Sequence, residues 1–113
     1  MPHTSRIRQT FRAMALELLY SHLFADSMEE ILQYYTERNG NDKYSQKLFK
    51  KIRDKVQLLS AMPEIGRKAD FHDVRILFVD KYCIDYQIRN GHVLVIDIYS
   101  SMTNPEERFF KKL

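Results

Sequence analysis

Between residues 74 and 99 the chain runs through three β-type segments separated by breaks of only two to four residues. Val74–Val79, Tyr82–Ile88 and Val93–Tyr99 are rich in β-branched and aromatic side chains, the composition of a half-buried pleated surface. Connections this short join only antiparallel neighbours, so the segments form one meander. The Asn90-Gly91 pair between the second and third runs suits a two-residue type I′ turn, in which both central residues take positive φ. A meander of this kind needs a second layer over at least one face, and the rest of the chain must supply it.

Alternation predicts which face that is. Val74, Ile76 and Phe78, then Ile84, Tyr86 and Ile88, then Leu94, Ile96 and Ile98 are expected to turn toward the second layer. The opposite face would carry Arg75, Leu77, Val79, Cys83, Asp85, Gln87, Val93, Val95, Asp97 and Tyr99. It mixes polar and apolar groups and is expected to be incompletely buried.

The second layer lies upstream. Residues 15–20 alternate as a strand, with Leu16, Leu18 and Tyr20 on one side. Ser21 suits a helix N-cap, and Phe24, Met28, Ile31, Leu32 and Tyr35 form an amphipathic stripe. Asp26, Glu29 and Glu30 lie early in this helix and read as a solvated face rather than a metal site. Asn39-Gly40 ends it. Asn41 or Asp42 caps a second helix with Tyr44, Leu48, Ile52, Val56 and Leu59 on its apolar side. Its outer side carries Lys43, Lys47, Lys50, Lys51, Arg53 and Lys55, with Asp54 the one acid among them. The short connection makes the two helices an antiparallel hairpin. Pro63 and Gly66 close the second helix, and residues 67–73 read as a loop. Pro105, followed by Glu106 and Glu107 and later by Lys111-Lys112, suits a short terminal helix. The expected fold is α+β in the order β-α-α-β-β-β: a helical hairpin packed on an antiparallel sheet that ends in the three-strand meander.

Composition bounds the function classes. A length of 113 residues, 44% hydrophobic, is one domain with a modest core. The single cysteine, Cys83, excludes an intrachain disulfide and fits a reducing cytoplasm. No apolar run reaches membrane-spanning length, and no secretory h-region is evident near the N-terminus, so no membrane partner is expected. The net charge of +3 is matched by Arg6, Arg8 and Arg12 in residues 1–13, which hold no acid, so the remaining chain is neutral. Residues 1–13 are expected to be a dispensable basic tail, with the domain spanning 14–113; the rival reading is a basic arm that contacts a partner. His3, His22, His72 and His92 have no metal-ligand spacing, and no cofactor is expected.

Four pieces, in order and at their spacings, carry a resemblance. Ser21-x-x-x-Ala25 opens the first helix, which contains Ile31-Leu32-x-Tyr34-Tyr35. Leu59-x-x-Met62-Pro63-Glu64-Ile65-Gly66 follows the second. Val74-Arg75-Ile76-Leu77 leads to Tyr82-x-Ile84-x-Tyr86-x-Ile88, and Val95-Ile96-x-Ile98 leads to Asn104-Pro105. Over about residues 15–105 the chain resembles the RelE/ParE superfamily of toxins from type II toxin–antitoxin systems. The resemblance implies a bacterial cytoplasmic toxin, neutralised by a cognate antitoxin that wraps an extended or helical segment around the fold. Some branches cleave mRNA in the ribosome; others poison DNA gyrase.

Individual positions favour the second branch. Arg75 matches a basic position of the first meander strand, where nuclease members orient the scissile phosphate. Cys83 stands where those members carry another basic residue, and Ser100-Ser101-Met102-Thr103 replaces their basic or His-Tyr ending. Asp85 and Asp97 would repel RNA phosphate. The leading expectation is a ParE-like toxin acting on a macromolecular target, DNA gyrase. The alternatives are a ribosome-dependent mRNA endoribonuclease and a non-toxic protein-binding module of the same fold. The candidate surface for target or antitoxin is Arg75, Tyr82, Asp85, Asp97, Tyr99 and Asn104, and Arg75 is the best single catalytic candidate. Several of the residues singled out have a structural alternative. Arg75 could pair with Asp85 or Asp97 across the sheet, Cys83 and Tyr86 could simply pack, and Asn104-Pro105 could start a helix.

Overall fold

The structure, a computed structural model, describes residues 15–70 and 73–103. Strand β1 spans Glu17–Tyr20, helix α1 His22–Asn39 and helix α2 Lys43–Gln57, which runs into a 3₁₀ turn at Leu58–Ser60. Strands β2 (Arg67–Lys68), β3 (Arg75–Val79), β4 (Tyr82–Arg89) and β5 (His92–Ser100) follow. They form one five-stranded sheet in the order β1-β5-β4-β3-β2. The expected α+β order is present, with two corrections. The sheet is mixed rather than antiparallel, because the helical hairpin carries the chain across so that β1 lies parallel to β5. The segment expected to be a loop contains β2, whose two residues pair with Ile76 and Arg75; two residues are too few for alternation to reveal. The proposed tail at residues 1–13 and the terminal helix beginning at Asn104-Pro105 lie outside the described residues. Among those described, no helix is long and apolar enough to cross a membrane.

Helix α1 begins and ends as its sequence dictates. The Ser21 hydroxyl accepts from the Phe24 N–H at 3.0 Å and donates to the Ile96 carbonyl, while the Ser21 N–H donates to Val95 O at 3.0 Å. One residue thus caps the helix and ties it to β5. Acids play no part in the first turn. Gly40 closes the helix in the left-handed region, φ 73°, with its N–H on Thr36 O. At α2 it is Asn41 whose side chain receives a backbone N–H, that of Lys43, at 3.1 Å; Asp42 instead accepts from Gln46. Leu48, Ile52, Val56 and Leu59 are buried as expected, but Tyr44 is exposed. Ser45 takes the buried place beside it, donating to Leu32 O at 2.7 Å and sharing a hydrogen bond with Thr36. The α1–α2 contact is therefore partly polar.

The sheet faces differ from the simple alternation. Asp80-Lys81 and Asn90-Gly91 are both two-residue turns, with positive φ at Asp80, Asn90 and Gly91. Such turns pair their flanking residues, Val79 with Tyr82 and Arg89 with His92, so paired residues share a face. The face toward the helices holds Leu77, Val79, Tyr82, Ile84 and Tyr86, then Val93 and Val95. Val74, Ile76, Phe78, Leu94 and Ile96 are not in that core, contrary to the alternation, which treated the strands as independent. Asp85 pairs with Asp97 and Tyr86 with Val95, leaving Ile96 as the extra residue of a β-bulge. The bulge reverses the alternation and returns Ile98 to the helix side. The other face is not simply open: Ile76 and Cys83 are buried and Asp85 is fully buried.

The segment Pro63–Gly66 is fastened to the sheet by Tyr86. Its hydroxyl donates to Pro63 O at 2.7 Å and accepts from the Gly66 N–H at 2.9 Å. A Cβ on Gly66 would stand 2.5–2.9 Å from the Tyr86 ring and hydroxyl. Glycine is needed here for close approach to the ring. Gly66→Ala is expected to lower stability by about 1–3 kcal/mol in urea unfolding, the cost of overpacking a fixed ring. An unchanged midpoint would show that the segment gives way freely.

Candidate functional site

Arg75, the leading sequence candidate, is half-buried and makes neither of the cross-sheet ion pairs considered for it. Lying opposite Tyr86 in the β3–β4 register, its guanidinium donates to Glu64 O at 3.1 Å and Gly66 O at 2.8 Å. Asp85 faces Ile76 instead. Arg75 and Tyr86 together hold the Pro63–Gly66 segment against the sheet. Both bonds come from the one nitrogen Nη1, whose two N–H groups reach the two carbonyl oxygens at once.

The remaining candidates divide between two surroundings. Asp85 is fully buried and accepts from the Tyr99 hydroxyl at 2.8 Å. Asp97 is largely buried, and its carboxylate accepts from the Ile98 N–H at 2.8 Å. Burial pushes the Asp97 carboxyl above its ordinary value; the Ser27 hydroxyl and the Ile98 N–H oppose that, and Glu30 adds to it. Tyr82 is buried on the helix side, where its hydroxyl donates to that of Tyr35 at 3.1 Å. Burial, then this hydrogen bond, drives its phenol pKa up. Asn104 lies outside the described residues.

Tyr82, Asp97 and Tyr99 nonetheless share one cleft of about 630 Å³ between α1, the Asp80-Lys81 turn and the end of β5. Sequence reasoning missed its other members, Tyr34, Tyr35 and Lys81. The Lys81 ammonium lies 5.3 Å from the Tyr35 ring centre and 5.9 Å from that of Tyr82. Tyr35 also meets Tyr34 and Tyr44 edge-to-face. The ammonium lowers the Tyr35 pKa, and its own pKa is raised in return. Tyr35 was legible as part of the helix stripe, and Tyr34 only beside it in the piece Ile31-Leu32-x-Tyr34-Tyr35.

The larger exposed feature is a groove of about 700 Å³ along the seam between α1 and α2. Tyr20, Phe24, Met28 and Leu32 line one wall, and Phe49, Ile52 and Val56 the other. Tyr20 and Phe49 keep over two fifths of their surface exposed. Polar residues, Glu29 and Gln33 on α1 and Arg53 and Gln57 on α2, also border it. An apolar channel with a polar rim is the form that accepts an amphipathic segment of another chain. Next to it runs the basic side of α2. Its ion pairs, Lys50–Asp54, Arg53–Asp54 and Lys51–Asp80, are exposed and contribute little to stability.

Comparison with known proteins adds the family. A family model described as the ParE toxin of type II toxin–antitoxin system, parDE, matches residues 18–105. Among solved structures, a chain of the chromosomal ParDE TA system from P. aeruginosa superposes with a TM-score of 0.69 at 18% identity, covering 77% of this chain and 97% of that one. A conserved hypothetical protein from Helicobacter pylori gives a TM-score of 0.47 at 16% identity, covering 75% of this chain and 93% of its own. No curated protein sequence matches.

Two expectations follow from this geometry. Arg75→Ala should cost about 1–2 kcal/mol in urea unfolding, since it removes two charge-assisted bonds at a half-exposed site. Its effect should be non-additive with Tyr86→Phe, because both hold the same segment; strict additivity would refute a shared role. For Asp97 the folded pKa lies above the unfolded one. Its contribution is therefore fully present below the unfolded pKa and lost as pH rises through the folded value. Asp97→Asn should gain in stability relative to the native chain as pH is raised from well below 3.8 to neutrality, and a pH-independent difference would refute the assignment.

Proposed function

The chain belongs to the ParE toxin family of type II toxin–antitoxin systems, and we propose that it inhibits growth in the cytoplasm by binding a macromolecular target, DNA gyrase. We further propose that a cognate antitoxin neutralises it by seating an amphipathic segment in the groove between α1 and α2. The contrast between that exposed groove and the bonded polar groups of the sheet carries this reading. RNA cleavage needs groups free to take a proton from the 2′-hydroxyl, return one to the leaving oxygen and hold the phosphate. Arg75 is engaged by two backbone carbonyls and Asp85 by the Tyr99 hydroxyl. The groove, by contrast, leaves Tyr20 and Phe49 substantially in water, a cost that a partner would relieve.

On charge we favour an acidic antitoxin segment. Lys47, Lys50 and Lys51 lie on the exposed side of α2 outside the groove, whose own border holds one cation, Arg53, and one acid, Glu29. A basic surface near a groove speeds encounter with an acidic chain more than it adds to final affinity.

Induction of this chain alone should arrest growth with DNA damage and filamentation, and the purified protein should inhibit supercoiling by gyrase. Co-expression of a cognate antitoxin should restore growth. Phe49→Glu should keep the arrest but abolish the rescue, because it places a charge in the groove. Arrest with mRNA cut at codons would overturn the gyrase reading in favour of ribonuclease action. Normal growth of cells holding soluble protein would favour a non-toxic binding module.

A further inference from the structure

The cleft on the other side of α1 has a composition unlike the groove. Its aromatic walls are Tyr34 and Tyr35 from α1 with Tyr82 from the sheet, Tyr99 bordering it while its hydroxyl turns to Asp85 on the far face, and its charges are separated. Lys81 stands beside Tyr35 and Tyr82. Glu30 and Asp97 line the cleft nearer the start of α1, where Asp97 is influenced by Ser27. Ser27 and Tyr35 are about 12 Å apart along the helix at the standard rise. One end of the cleft therefore offers a cation among aromatic rings and the other offers carboxylates.

We propose that this cleft binds a nucleotide unit, with its base against the tyrosines, its phosphate on Lys81 and an exocyclic amino group of the base on Glu30 and Asp97. The volume of about 630 Å³ is within the range of small-ligand sites. A π-face is common to every base, so tyrosine walls bind without choosing among them. The carboxylates do choose. They accept from the amino groups of cytosine or adenine and repel the carbonyl oxygen that thymine presents at the corresponding position. They also repel phosphate, which fixes the direction of the ligand toward Lys81. Tyr34 and Lys81 are exposed, so access needs no rearrangement of the core. The ligand unit could belong to a single strand or to a free nucleotide, and competition separates these sources.

The test uses the purified full chain and fluorescein-labelled oligo(dC), oligo(dA) and oligo(dT) of about eight nucleotides, the length of an ordinary single-strand site, read by anisotropy. Oligo(dC) and oligo(dA) should bind more tightly than oligo(dT), and Glu30→Gln should reduce that preference. Tyr34→Ala should weaken binding about tenfold. Lys81→Gln should reduce the slope of log affinity against log salt by about 0.7, one phosphate contact. Thermal unfolding checks that each variant is folded; should Tyr34→Ala fail, the Lys81→Gln salt slope decides. Competition by unlabelled CMP or AMP at the strength of the oligomer would identify a free nucleotide as the source, and competition by oligomers alone would identify a strand. Absence of binding at low salt, binding that neither variant changes, or a preference for oligo(dT) overturns the proposal. Tyr34, Lys81 and Glu30 do not line the α1–α2 groove. Antitoxin rescue in the same variants is then expected to persist, so failure here is distinguishable from failure of the toxin reading.

Discussion

The bulge at Ile96 is the constraint on which the rest of the fold depends. Without it β5 would keep one alternation from His92 to Ser100, and either Val93 and Val95 or Ile98 would leave the core. With one residue inserted between the Val95–Tyr86 and Asp97–Asp85 pairs, all three face the helices. The carbonyls of Val95 and Ile96 then receive the N–H and hydroxyl of Ser21. The irregularity in the sheet and the start of α1 are thus satisfied by each other. A regular strand would have offered Ser21 a different set of acceptors, and α1 would have crossed the sheet elsewhere. Bulges of this kind redirect side chains at the cost of a local break in pairing.

The fold was legible where the physics is local. Ser21, Gly40 and the Asn90-Gly91 turn act through their own neighbours, and all three behave as their chemistry dictates. Face assignment failed where it required knowledge of pairing. Ile96 looks like any other strand residue, and nothing beside it marks an insertion. The β3–β4 error was recoverable: a two-residue turn at Asp80-Lys81 forces Val79 and Tyr82 to one face, which puts Ile76 and Phe78 on the other.

The candidate site was less legible, for a related reason. Arg75 read as a functional cation because its strand position was known and its acceptors were not. Those acceptors, Glu64 O and Gly66 O, are backbone atoms of a segment whose place depends on Tyr86 and on the missing side chain of Gly66. Sequence patterns record side-chain types, and a guanidinium bound to carbonyls leaves no complementary charge in the sequence. Asp85 lies on the face the alternation gave it, but its burial was not legible. On a bare sheet it would be a repulsive surface charge, but here it is buried with the Tyr99 hydroxyl on it.

Helix α1 explains why both exposed concavities escaped notice. Its apolar stripe was read as one face directed at one core. Only Phe24 and Met28 are buried in it, and the residues on either side diverge. Met28, Leu32 and Thr36 border the groove toward α2, whereas Ser27, Ile31, Tyr34 and Tyr35 border the cleft toward β5. A stripe too wide for its own core leaves apolar surface on both flanks, and the helical period spreads that surface so thinly along the sequence that it resembles ordinary amphipathicity. Each flank becomes a site only because another element faces it at the right height: Phe49 and Val56 of α2 on one side, Lys81 and Tyr99 of the sheet on the other. Those partners are set by the anchoring of Ser21 on the bulged strand, so the same irregularity that completes the core also decides what the two flanks of α1 can bind.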